Sequence, residues 1–181
     1  QDGESDIEKV VKHFNPHKKI NFDLLAVFDA DMRDKISKLI GKQIPVVSLP
    51  SIDGLNPEQE LWNVLSKGVD NVALLLGTKP DDLLQYYEQC GSLDHHDRFM
   101  QLANYLNVSE ETLFNYIFSI WYSENKNLVN KFIFCIFNSC YHLTREEIDL
   151  LAKEMELEGI PLDENLNKKM LFDGKDLLFL E

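Results

Sequence analysis

Basic residues are scarce in this 181-residue chain: 18 Lys and Arg stand against 31 Asp and Glu, for a formal charge of -13. Nucleic acid is held by clustered Lys and Arg that neutralise phosphates, so neither a nucleic-acid partner nor an anionic membrane surface is expected. Cysteine is equally sparse. Cys90, Cys135 and Cys140 are odd in number, and two lie in apolar helical surroundings, which disfavours a secreted disulfide framework. A reducing, cytoplasmic setting is expected instead. No uninterrupted apolar run reaches the ~18 residues of a membrane span, so membrane insertion is not expected. The longest candidate, Asn130 to Cys140, is short and leads into charge. A phosphate-cradling loop is also missing, because Gly77-Thr78-Lys79-Pro80 has neither the glycine spacing nor the Gly-Lys-Ser/Thr ending.

What is present is the composition of an ordinary globular protein, 44% hydrophobic and 27% charged, patterned almost throughout with the helical period. Ser5-Asp6 caps a short helix over 7–13. From Phe22 to Ile40 the apolar residues at 22, 24, 25, 28, 32, 36, 39 and 40 form one amphipathic stripe, ended by Gly41. Ile44 to Pro50, bounded by prolines, reads as an extended linker or packed loop. Asn56 then caps a helix with Pro57 at its first position and Gly68 at its end, and Trp62 falls on its core face. Val69 to Leu76 is apolar nearly all round and should be buried. Helices follow over 81–90 and 93–106. Ser109 opens the strongest one, with Leu113, Phe114, Ile117, Phe118, Ile120 and Trp121 in register. A polar break over 123–127 separates it from Leu128 to Phe137. No strands are expected beyond short bridges between loops.

Phe132 to Glu158 reads as a helix, a polar break and a second helix opened by Leu143-Thr144-Arg145-Glu146-Glu147. Leu143-Thr144-x-x-Glu147 matches the tail of a calcium-binding EF-hand loop, with an apolar residue at position 8 and a carboxylate at 12. It also matches an ordinary capping box. Comparable turns recur at His13 to Phe22, at Ser51 to Glu60 and at Phe172 to Glu181. The position-8 candidates pair at similar separations, Ile20 with Leu55 and Leu143 with Leu177. On these residues the chain resembles the EF-hand superfamily in a degenerate form. The resemblance implies an all-α fold of paired helix-loop-helix units joined by a central helical segment: residues 1–77, then 78–127, then 128–181. It further implies hands that hold no calcium, since no loop carries the D-x-[DN]-x-[DN]-G ligands. Were calcium bound after all, Glu147 and Glu181 would be its carboxylates. Asp29-Ala30-Asp31-Met32-Arg33 comes nearer to the ligand pattern but lacks its glycine and its final Glu, and reads as an acidic turn of a helix.

Three constellations could carry chemistry. His95-His96 beside Asp94 and Asp97, with Cys90 nearby, could hold zinc. Consecutive helical histidines diverge, however, and a closed site needs four convergent ligands, so surface histidines are the expectation. Cys135, Cys140 and His142 lack the second half of a zinc motif. As a thiol nucleophile they lack an orienting group. The aromatic set of 114–137 is mostly core, but between paired hands it would also line a groove for an amphipathic helix. Phe114, Phe118, Trp121, Phe134 and Phe137 are its candidates. The expectation is thus a regulatory or scaffold module without cofactor or catalytic residues, docking an apolar helix or another domain of its own parent chain. Gln1 to Ser5 reads as an internal cut, so the chain is expected to be a piece of a longer protein. An adaptor of stacked helix pairs is the second reading, and a metal or thiol enzyme the third.

Overall fold

The computed structural model describes residues 2–13, 24–39, 44–141, 143–157 and 169–180. These are mostly helical: α1 (Asp2–His13), α2 (Arg33–Leu39), α3 (Pro57–Lys67), α4 (Val69–Leu76), α5 (Pro80–Cys90), α6 (His95–Leu106), α7 (Glu110–Tyr141) and α8 (Arg145–Glu154). Among them run four short strands, β1 (Ala26–Phe28), β2 (Val46–Ser48), β3 (Lys169–Phe172) and β4 (Leu177–Leu180). The chain divides into two compact units. Residues 1–55 and 127–181 form the first and 56–126 the second, so the two ends of the chain fold together.

In the first unit β1 and β2 pair in parallel, Ala26 against Val46 and Phe28 against Ser48, with α2 as the crossover. The Ala26 N–H donates to the Pro45 carbonyl at 3.0 Å and the Leu49 N–H to the Phe28 carbonyl at 2.7 Å, extending the ladder at each end. This corrects two expectations. Where a single helix was expected over 22–40, the described residues 24–39 hold a strand, a 3-10 turn over Ala30–Met32 and a short α-helix, and the segment 44–50 is a strand and its flanks. The prolines bound β2 without interrupting it, because neither stands where a ladder N–H is needed.

β3 and β4 form an antiparallel hairpin, Phe172 facing Leu177. Its turn is built by the Asp173 side chain, whose Oδ1 accepts from the N–H groups of Lys175 (2.9 Å) and Asp176 (2.8 Å). Gly174 supplies the left-handed φ of 99° that this turn requires. Strands β2 and β3 lie side by side as a wall between two cores. Successive strand residues face opposite ways. Val46 and Leu171 accordingly enter one cluster with Val11, Phe28, Met32 and Ile36. Val47, Met170 and Phe172 enter the other with Phe134, Cys135, Ile148 and Ala152. A strand apolar on both faces shows no alternation, which is why periodicity found none.

The second unit is helical. Asn56 caps α3 by accepting from the Gln59 N–H at 2.9 Å, and Pro57 opens the helix as expected. Trp62 is buried, stacked on Tyr87 at 4.8 Å and edge-on to Phe99 at 5.4 Å. Leu65, Val72, Leu83, Leu102, Leu113 and Ile117 of the same unit are likewise fully buried. The all-round burial expected for α4 holds only on one side: Val72 and Ala73 are buried, whereas Leu74 is 79% exposed.

The expected polar break after Tyr122 contracts to one residue. Asn125, at φ -122° and ψ 23°, is the non-helical point inside α7. Its amide donates to the Trp121 carbonyl at 2.8 Å and so satisfies an acceptor that the break would otherwise leave open. No helix among the described residues is long and apolar enough to cross a membrane.

Candidate functional site

The part of α7 within the second unit, 110–126, turns two rows of side chains to different surroundings. Leu113, Ile117 and Trp121, spaced i, i+4, i+8, are the buried row. Trp121 is 5% exposed, and its indole N–H donates to the buried Glu60 carboxylate of α3 at 3.2 Å. That bond locks the ring at one angle. One residue further round, Phe114, Phe118 and Tyr122 form the neighbouring i, i+4, i+8 row. Phe114 leans on the core, its ring 5.3 Å from that of Phe99. Phe118 is 43% exposed, yet lies near-parallel to both Trp121 (6.0 Å, 27°) and Tyr122 (6.2 Å, 25°). The result is an aromatic ladder from the core outward. Its base is rigid, its outermost rung is in water, and Glu110, Glu111 and Glu124 on the same stretch outnumber the one basic residue, Lys126.

The other two groove candidates belong to the first unit. Phe134 is fully buried in the cluster with Phe172. Phe137 is 39% exposed and stacks on the exposed Tyr141 at 5.4 Å and 26°. Trp121 and Phe134 are thus core residues, while Phe118 and Phe137 meet solvent. Sequence reasoning counted Tyr122 in the aromatic set but not among the groove candidates, and it did not single out Tyr141 or Glu60. Both tyrosines could have been found by stepping four residues on from Phe118 and Phe137. Nothing in the sequence marks Glu60 as buried.

Thr144 and Glu147 form a complete capping box. The Glu147 carboxylate accepts from the Thr144 N–H (2.8 Å) and hydroxyl (2.7 Å), and the Glu147 N–H returns a bond to the Thr144 hydroxyl at 3.4 Å. These bonds, the backbone one foremost, hold the Glu147 carboxyl below the usual glutamate range. Ile20 and Glu181 of the expected loops, and His142, lie outside the described residues. Leu177, expected opposite Leu143, pairs instead with Phe172.

Two of the three thiols, Cys90 and Cys135, are buried. Burial pushes the Cys135 thiol up to about 12, only partly offset by hydrogen bonds from Ser139 and the Phe172 backbone. Burial also raises Cys90. Neither is a thiolate near neutral pH, and the thiolate is the nucleophile. In the first unit a cavity of about 300 Å³ is walled by Ile7, Val10, Leu24, Leu25, Val27 and Ile44 among others, all aliphatic, and among the described residues no polar side chain lines it to orient a ligand. Comparison with family models, with curated proteins and with solved structures finds no match for this chain.

Proposed function

We propose that the chain is a non-catalytic regulatory or scaffold module whose aromatic ladder on α7 docks an amphipathic helix with a basic polar face, from a partner or from another part of its parent protein. The observation that carries this reading is Phe118. A phenylalanine held half in water against a hydrogen-bonded tryptophan is pre-organised, so little rotamer freedom remains to be lost on binding. Large rigid aromatics of this kind are the usual anchors of protein interfaces. The preference for a basic partner rests on the net charge of -13 and the local excess of glutamate.

In this reading α7, the turn at 143–144 and α8 act as a degenerate, calcium-free hand. Its loop glutamate already serves the capping box, and the protonated, buried thiols suit a structural role. The test uses a synthetic amphipathic helix with leucine and tryptophan on one face and lysine on the other, titrated calorimetrically into the whole chain. Saturable binding that weakens about thirtyfold in Phe118→Ala, the effect of losing a 2 kcal/mol anchor, supports the reading. Equal binding by wild type and variant would show charge attraction alone and refute it.

A further inference from the structure

The start of α6 gathers donor atoms from two helices. Asp94 caps α6, its Oδ1 accepting from the His96 N–H at 3.1 Å. This cap sets His95 and His96 at the first two helical positions, where no preceding turn of helix holds them apart. Their rings lie 3.9 Å between centroids at 41°, so the divergence expected of consecutive helical histidines does not occur here. His95 Nδ1 is 3.5 Å from Asp94 Oδ1. One ligand atom from each of Asp94, His95 and His96 lies within 4.8 Å of the others. From α3, Glu58 Oε1 stands 3.7 Å from His96 Nδ1.

We propose that Asp94, His95, His96 and Glu58 form a site for a borderline divalent metal ion of the zinc class, clamping the start of α3 to the start of α6. Two imidazole nitrogens and two carboxylate oxygens are the donor set that suits such an ion. Bonds of about 2.0–2.2 Å place tetrahedral ligand atoms roughly 3.4 Å apart. Two of the separations, 3.5 and 3.7 Å, are already near that figure. The donors of Asp94, His95 and His96 already lie within 4.8 Å of one another, and Glu58 approaches this group at His96. A helix N-terminus by itself repels a cation. Here the two carboxylates offset the charge of the ion, and Asp97 in the same turn adds to them. The carboxylate of Asp94 has lone pairs beyond the one used by the cap.

The whole chain, stripped of metal by a chelator, is titrated with zinc chloride by calorimetry and melted with and without the ion. One ion per chain with a rise in melting temperature is expected. His96→Ala and Glu58→Ala, both at partly exposed positions, should each weaken binding at least tenfold, the lower end of what changes around a metal site cost. Cobalt(II) in place of zinc should give a spectrum without thiolate charge transfer. Absence of saturable uptake, uptake unchanged in both variants, or a thiolate band would each overturn the site.

Discussion

Replacing Gly174 with alanine should destabilise the first unit. Gly174 sits at φ 99°, and a Cβ there would stand 3.0 Å from the Leu49 carbonyl oxygen, 3.1 Å from Ser48 Oγ and 3.2 Å from an Arg33 guanidinium nitrogen. The first and third are held in place: Leu49 continues β2, and Arg33 donates to the Asp173 carbonyl at 2.6 Å. The Gly174 carbonyl itself accepts from the Ser51 N–H at 2.9 Å, so the turn cannot back away without losing that bond. The left-handed backbone costs an L residue about 1–2 kcal/mol and overpacking about 1–3 kcal/mol. The expected loss is therefore about 2–5 kcal/mol, a large part of the stability of an ordinary domain. Both tryptophans, Trp62 and Trp121, lie in the second unit, so fluorescence would miss the effect. The assay is urea unfolding followed by circular dichroism, with hydrogen exchange of the 169–180 hairpin read separately. Lys175→Ala, one residue on and exposed, is the control. A loss within about 0.5 kcal/mol, which a surface change would give, would refute the locked turn.

Three further outcomes follow from the same packing. Phe134→Ala empties a fully buried site in the cluster with Phe172 and should cost about 3–5 kcal/mol in the same unfolding assay. Thr144→Ala should cost about 1 kcal/mol by removing the cap of α8. Because the folded state lowers the Glu147 carboxyl, its contribution is present above the usual glutamate range and is lost as pH falls through the depressed value. The gap between wild type and Thr144→Ala should accordingly be widest near neutral pH and narrow in acid, with the Glu147 titration seen by NMR moving up in the variant. Labelling of the native chain at neutral pH should consume the partly exposed Cys140 first. Cys135, pushed up to about 12 by burial, holds far less thiolate than an ordinary cysteine, and equal labelling of the two would contradict its burial.

Local signals in the sequence translated directly. Asn56-Pro57, Thr144-x-x-Glu147 and the apolar stripe of Leu113, Ile117 and Trp121 each work through neighbours a few residues away, so spacing alone reveals them. The strands were hidden for the opposite reason. Ala26–Phe28 is held by Val46–Ser48 twenty residues on, and both faces of β2 are buried, so its run of apolar residues carries no period of two. At the C-terminal end Asp173-Gly174-Lys175-Asp176 between Phe172 and Leu177 is a hairpin signal. Its acidic residues resemble a calcium loop equally well, and only the pairing of β3 with β4 separates the two. In the aromatic set, sequence could not divide core from surface. Phe114, Phe118 and Trp121 all fall on one broad helical face, and the depth of each depends on which helix lies above it. The histidine cluster was hidden because residues at the very start of a helix do not diverge as those inside one do, and because Glu58 is distant in sequence.

The docking role of α7 is tested most directly by mapping amide chemical shifts of the whole chain as the lysine-leucine-tryptophan helix is added. Changes centred on residues 114–122, and abolished by Phe118→Ala, are the predicted result. Changes centred elsewhere, for example on the exposed Leu74 and Leu75 of α4 or on the aliphatic cavity beside β1, would contradict it.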